Sequence, residues 1–422
     1  MRHVILGNGP AGVLAAEVIR KHAPADDILL VGAEPEPPYS RMAIPYLMTG
    51  RIDEAGTHLR KDPGHFDRLS LRLRQGRAAG VDLQARTVRL EDGAALPFDR
   101  LLVATGSVPV PPPIPGVELP GVHPCWTLAD ARRIMALARP GARVVQMGAG
   151  FIGCILMEAL AARGVELTVI EMGDRMVPRM MGASAGGMIK RWVEQKGVTV
   201  HTSARVEAIV QGREAPLEVQ LAGGGRLPAD LVISATGVKP AVDFLKGAGI
   251  GRLQGVVTDA GMMSHTPGIY AAGDCAQAYD AITDTWLVSA IQPNAADQAT
   301  CAALNMVGRA TRLSAVTYIN VLDTLGLVST SFGQWHGVEG GSHVELLDQD
   351  RFRMLRLEFH EDVLVGANAV GLTEHVGVLR GLIEGRVRLG EWKDRLRRDP
   401  TRLTEAYLAR AQAQHAWLGR VA

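Results

Sequence analysis

The chain has 422 residues, enough for two or three domains that each bury a core. Its 45 basic residues balance 44 acidic ones, so the formal charge is +1 and neither nucleic acid nor an anionic membrane is expected as a main partner. The four cysteines, Cys125, Cys154, Cys275 and Cys301, are few and include no C-x-x-C pair, which excludes a zinc cluster or redox pair local in sequence. Together with the lack of a secretory signal they lead us to expect a cytoplasmic protein. No run of about 18 uninterrupted apolar residues occurs, so no membrane span is expected.

The chain opens with Val4-Ile-Leu-Gly-Asn-Gly-Pro-Ala-Gly12, which reads as a buried strand, a glycine turn and the start of a helix. Gly7, Gly9 and Gly12 stand at G-x-G-x-x-G spacing. The first permits the tight turn, the second lets a pyrophosphate approach the backbone, and the third lets the helix close on its strand. The helix N-terminus then offers N–H groups and partial positive charge to phosphates. A second apolar strand, Ile28 to Glu34, ends in an acid 22 residues after Gly12, where a carboxylate accepts a ribose hydroxyl.

Residues 35–50 form a proline-rich turn leading into a short helix. Leu69, Leu71 and Leu73 are expected on one face of a strand, with Val88 and Leu90 on another before the Asp92-Gly93 turn. Leu101 to Gly106 is a buried strand ending in Ala-Thr-Gly, and the prolines from Pro109 to Pro120 read as a linker or hinge between domains. Residues 144–171 then repeat the opening. Gly148, Gly150 and Gly153 have the same spacing, and Leu167 to Glu171 is again a strand ending in an acid. Leu231 to Gly237 repeats the Ala-Thr-Gly turn. Two such units, each with an acid and a matching turn, imply two dinucleotides.

Beyond residue 240 the chain is expected to return to the first domain, where Gly268 to Asp274 carries a carboxylate onto a glycine turn. From about residue 317 strands follow, including Arg353 to Phe359 and Val363 to Ala367, then helices from Glu374 onward. Leu403, Tyr407, Ala411 and Leu418 recur at helical spacing, read as packing or a subunit contact. His265, His336, His343 and His360 lack ligand spacing, and no metal is expected.

With these motifs in place, the chain resembles the FAD/NAD-linked pyridine nucleotide–disulfide oxidoreductase superfamily along nearly its full length. It is most similar to the branch of rubredoxin and ferredoxin reductases and nitrite reductase flavin domains. The resemblance implies an α/β fold with two doubly wound dinucleotide-binding domains, the second inserted in the first, and a C-terminal α+β interface domain. The expected boundaries are 1–109 with 241–316 for FAD, 110–240 for NAD, and 317–422 for the interface domain.

Carried over by position, Gly7, Gly9, Pro10, Ala11, Gly12, Glu34, Arg41, Ala78, Thr105, Gly106, Gly273, Asp274 and Gln292 would hold FAD. Gly148, Gly150, Phe151, Ile152, Gly153, Glu171 and Gly237 would hold NAD. The acid at 171 favours NADH over NADPH, moderated by Arg175 nearby. The stretch from Gln292 through Asn294 to Gln298 resembles the segment that lies against the flavin. Three departures stand out. Where coenzyme A disulfide reductases and NADH oxidases carry a redox cysteine this chain has Met42. Where ferredoxin reductases often carry a lysine it has Tyr46. Where relatives have a glutamate after the NAD glycines it has Ile155, with Glu158 one turn later.

No side chain is assigned as a catalytic acid or base, although Tyr46 and Gln292 are expected near the ring. The resemblance implies an FAD-dependent NADH oxidoreductase without a redox disulfide. Its partner would be a small iron–sulfur protein, and the chain a homodimer or part of a redox complex. The alternatives are an NADH oxidase using oxygen or a quinone, and a flavin-bearing subunit of a larger complex.

Overall fold

The computed structural model describes residues 1–251, 254–280, 283–313 and 319–418, with side chains to residue 410 in the last helix. The chain divides into two compact units, Met1–Pro109 with Val238–Val316, and Val110–Gly237 with Thr317–Ala422. The residues around the expected 316/317 boundary lie outside those described.

The first unit is built on a parallel sheet in the spatial order Leu71–Gln75, Asp27–Gly32, Arg2–Leu6, Arg100–Val103, Ile269–Ala271. The strand order reverses beside Arg2–Leu6, and ligands bind at the carboxyl ends of strands at such a point. Val4, Ile5 and Leu6 are buried in succession rather than alternately, as in a parallel strand covered on both faces. Leu71 is buried but Leu73, on the same face, is 45% exposed, because this strand is the sheet's edge.

Helix Pro10–His22 packs on helix Gln292–Met306, and small residues on both, Ala15 and Ala16 on one and Ala299, Ala302 and Ala303 on the other, are fully buried. Val88 and Leu90 are buried on a small three-stranded antiparallel sheet, and Gly93 takes a positive φ in its turn. The chain leaves the unit along Ser107–Pro109 and returns along Val238–Pro240. These two segments pair antiparallel, Val238 opposite Pro109.

The second unit repeats the parallel sheet in the order Thr199–His201, Glu166–Ile170, Arg143–Met147, Leu231–Ser234, Val122–Pro124. The proline segment is not a free linker. Ile114 and Leu119 pack on a core shared with Ile209 and Val219, and Ile209 N donates to Pro115 O at 2.9 Å.

The C-terminal part of this unit is a five-stranded antiparallel sheet. Its order is Ile319–Thr324, Leu327–Gly333, Val363–Val370, Arg353–His360, Ser342–Asp348. Helices Val376–Glu384, Glu391–Arg398 and Leu403–Leu418 follow. Leu403 is buried, and the Tyr407 ring lies so close to Gly381 that a Cβ there would stand 2.8 Å from it. That part of the apolar stripe is internal packing, while the side chains of Ala411 and Leu418 lie outside those described. The fold is thus two dinucleotide-type sheets with a C-terminal α+β domain. Among the described residues no helix is long and apolar enough to cross a membrane.

Candidate functional site

The two glycine motifs have the same geometry. Gly7 has φ +113°, and a Cβ there would stand 2.0 Å from Ala104 O on the adjacent strand's end. Gly12 closes against the first turn, where a Cβ would stand 1.9 Å from Gly7 O. Gly9 differs from both, since a Cβ there would meet nothing within 4 Å among the described residues. The second motif repeats this. A Cβ on Gly148 would stand 2.5 Å from Ala235 O and one on Gly153 2.4 Å from Gly148 O, while Gly150 faces open space.

Gly9 and Gly150 are also the N-caps of helices Pro10–His22 and Phe151–Ala162, and neither helix start takes a side-chain cap. An uncapped helix start beside an open glycine is a cradle that a Cβ would partly fill. It suits a pyrophosphate, so the residues present fit a dinucleotide in each unit.

Each acid is held in place. Glu34 accepts from the Tyr39 hydroxyl at 2.6 Å and from Arg41 Nη2 at 2.7 Å. Burial, helped by this carboxylate, raises the Tyr39 phenol pKa, so it stays a donor. Arg41 also runs beside Gly106, whose Cβ would lie 3.7 Å from Nη1. One guanidinium therefore joins the end of the second strand to the Ala-Thr-Gly turn. Glu171 accepts from the backbone N–H of Ala149 at 2.8 Å and of Gly173 at 2.7 Å, which ties it to its glycine motif.

Thr105 donates to Ala241 O at 2.8 Å, and Asp274 accepts from Ser107 at 2.8 Å. Gly273 sits between two helix starts, where a Cβ would lie 3.5 Å from that of Ala11 and 3.7 Å from that of Ala295. Gln298 is fully buried and accepts from Gly273 N at 2.8 Å. Gln292 is exposed at the first residue of its helix. Ala78 begins strand Ala78–Asp82, partly buried against the first core.

Met42 and Tyr46 are both about half exposed, at 50% and 51%, one turn apart in a 3-10 and α-helical stretch. In the second unit, Phe151, Ile152, Ile155 and Glu158 share the partly exposed stripe of helix Phe151–Ala162. Gly237 has φ +123°, and a Cβ there would meet nothing within 4 Å among the described residues.

Tyr39, Ser107 and Gln146 join the site without belonging to either glycine motif or acid. Gln146 is fully buried and donates to Gly148 O at 2.9 Å, bracing the second turn. A polar residue inside an otherwise apolar strand was the available signal.

All four cysteines are buried, and none forms a disulfide. Burial pushes the Cys125 and Cys154 thiols up to about 12 and raises those of Cys275 and Cys301. Cys275 Sγ donates to Val103 O at 3.2 Å and Ala272 O at 3.3 Å. None of these is a poised thiolate.

The family model described as pyridine nucleotide-disulphide oxidoreductase matches residues 1–301. The chain belongs to this family. It is an FAD-dependent oxidoreductase that works with NAD(H), a member of the pyridine nucleotide–disulphide oxidoreductases without the disulphide.

Over 403 residues it is 30% identical to the NADH-dependent phenylglyoxylate dehydrogenase subunit epsilon of Aromatoleum evansii, covering 94% of this chain and 95% of that one. It is 32% identical over 274 residues to the biphenyl dioxygenase system ferredoxin–NAD(+) reductase component of Paraburkholderia xenovorans, covering 64% and 66%. A crystal structure of a ferredoxin reductase from Rhodopseudomonas palustris superposes with TM-score 0.83 at 25% identity, covering 91% and 94%.

Proposed function

We propose that this family member moves electrons between NADH and a one-electron iron–sulfur carrier of the ferredoxin or rubredoxin type. The first glycine motif, with Pro10, Ala11, Glu34, Arg41, Ala78, Thr105, Gly106, Gly273, Asp274 and Gln292, holds FAD. The second, with Phe151, Ile152, Glu171 and Gly237, holds NADH. Bound flavin supplies the conversion between hydride transfer and single-electron release.

The chain's own work is binding and orientation. The open glycines admit the pyrophosphates, and the fixed carboxylates face the riboses. No side chain need carry a proton for hydride transfer, because positioning supplies most of the catalysis. The observation that carries this reading is the burial of every thiol; at the position where the resemblance to coenzyme A disulfide reductases would put a redox cysteine, the chain has Met42. A sulfur relay has no residue to run on, so the electrons must leave to an external acceptor.

Anaerobic mixing with NADH followed by a panel of acceptors tests it. Bleaching of the flavin, then fast reduction of an iron–sulfur protein, is expected. Flavin that stays oxidised, or rapid oxygen uptake with indifference to iron–sulfur proteins, refutes it.

A second reading is favoured by one observation. The likeness to the phenylglyoxylate dehydrogenase subunit runs almost end to end, through the C-terminal domain. On that reading the chain is the flavin-bearing subunit of a larger complex, and it co-purifies with partner chains rather than as a homodimer. Its few thiols, none in a disulfide, support a reducing cytoplasm as its location.

A further inference from the structure

Asn368 lies in the central strand of the C-terminal sheet and is fully buried. Its register partners also carry polar side chains. Ser331 stands on one side and Arg356 on the other, with Asn320 and Glu345 beyond them. A polar row across five strands is costly unless its groups find partners. Asn320 donates to Ser331 at 3.3 Å, Arg356 donates to Glu345 at 3.3 Å and to Glu358 at 2.6 Å, and Ser184 donates to Glu345 at 2.9 Å.

Asn368 reaches outside its own sheet. Its Oδ1 accepts from Gly182 N at 3.0 Å, and its Nδ2 donates to Met180 O at 3.1 Å and to Ala367 O at 3.3 Å. One side chain therefore clamps the turn that opens helix Ala183–Gln195.

The other end of that turn touches the second glycine motif. Val177 N donates to Ala149 O at 2.9 Å, and Met180 N and Met181 N donate to Val177 O at 2.9 and 3.0 Å. Val177 holds φ +50° while almost fully buried. A β-branched residue in that region is an outlier that persists only where its surroundings over-determine it. Ala149 is thus gripped from both sides, its carbonyl by Val177 and its N–H by Glu171.

We infer that Asn368 is a positioning residue for the nicotinamide nucleotide. By clamping Met180 and Gly182 it keeps Val177 in its strained turn, and this presets the backbone of Gly148-Ala149-Gly150 for NADH. The inference rests on the reading that this motif takes NADH. With the clamp removed, the motif must be ordered during binding, and that cost lowers affinity. Steps after saturation are untouched, and so is FAD, which is held in the other unit.

The test compares the holoenzyme with Asn368→Ala and Asn368→Asp, using ferricyanide as acceptor in excess. Asn368→Asp keeps the shape and the acceptor for Gly182 but, when ionised, loses the donor to Met180. Leu382→Ala, a buried change in helix Val376–Glu384, reports general loosening of the C-terminal domain.

For Asn368→Ala the KM for NADH is expected to rise roughly five- to tenfold, with kcat within about twofold and flavin content unchanged. Asn368→Asp should show a smaller rise, and Leu382→Ala a lower melting temperature with KM unmoved. An unchanged KM in both Asn368 variants overturns the inference. So does a KM rise that Leu382→Ala shares. If Asn368→Ala does not fold, Asn368→Asp alone decides. If the parent enzyme is not reduced by NADH at all, it is the assigned function that fails, and the inference falls with it.

Discussion

Gly9→Ala separates ligand binding from folding at the first glycine motif. Gly9 has φ −77° and ψ −173°, which alanine adopts without strain. Its Cβ would meet nothing within 4 Å among the described residues. Restricting the unfolded chain should leave the apoprotein as stable as the parent, or more so by ~0.4–1 kcal/mol. On the proposed assignment of this motif to FAD, the same methyl group takes the space through which a phosphate approaches the backbone. Overpacking of that size costs ~1–3 kcal/mol, or roughly a 5- to 150-fold weaker FAD affinity.

Gly7→Ala is the contrast. At φ +113° and 2.0 Å from Ala104 O the new Cβ forces the backbone apart, so the fold itself should lose ~3 kcal/mol or more. The assay strips the flavin, melts each apoprotein, and titrates FAD back by fluorescence quenching. Parent-like FAD affinity in Gly9→Ala would refute the reasoning, as would a melting loss equal to that of Gly7→Ala.

Gly150→Ala should raise the KM for NADH by roughly 5- to 100-fold while flavin content holds, whereas Gly153→Ala, with its Cβ 2.4 Å from Gly148 O, should lower the melting temperature; steady-state kinetics beside calorimetry checks both. Because burial holds Cys125 and Cys154 at about 12, Ellman's reagent at pH 8 should titrate no thiol quickly in the native protein and all four after denaturation. Cys275→Ala should leave NADH-driven flavin reduction intact, and loss of that reduction would mean a sulfur takes part after all. Asp99 accepts from Arg2 through its backbone N–H and its guanidinium, which holds its carboxyl down to about 2. Its folded pKa lies below the unfolded one, so this stabilisation is present above about pH 4 and lost as the pH falls toward 2. Solvent screening limits it to ~1 kcal/mol or less, and Asp99→Asn should flatten urea-measured stability across that window.

The parallel sheets were legible because their strands are apolar runs ended by glycine turns, and the first glycine of each turn has no freedom to be anything else. Gly7 and Gly148 illustrate this: a neighbouring carbonyl fills the space where a side chain would be. The acids were legible through spacing. Their partners were less so. Tyr39 and Arg41 reach back to Glu34 across five and seven residues, a pairing that leaves no periodic mark. Asn368 could not be read at all, because Gly182 lies 186 residues away in sequence and an asparagine in a strand has no distinguishing pattern. The segment from Pro109 to Pro120 was legible only in part: it begins where the chain passes from one unit to the other, as a hinge does, but its packing left no mark. Proline content describes backbone stiffness but not what a stiff segment lies against, and this one is bonded to Ile209. Among the expected flavin residues, Gln292 proves exposed, while Gln298 of the same stretch turns inward to Gly273.

The pairing of Ser107–Pro109 with Val238–Pro240 has an engineering corollary. Pro109 and Val238 face each other across one ladder spacing of about 4.8 Å, so a two-residue hairpin could bridge them with the register kept. The intervening 128 residues, 110 through 237, are thus a cassette whose two ends meet at a single splice point. Because residues 110–237 form one compact unit with 317–422, a graft at that junction must keep the C-terminal contacts as well, those of Asn368 to Met180 and Gly182 among them.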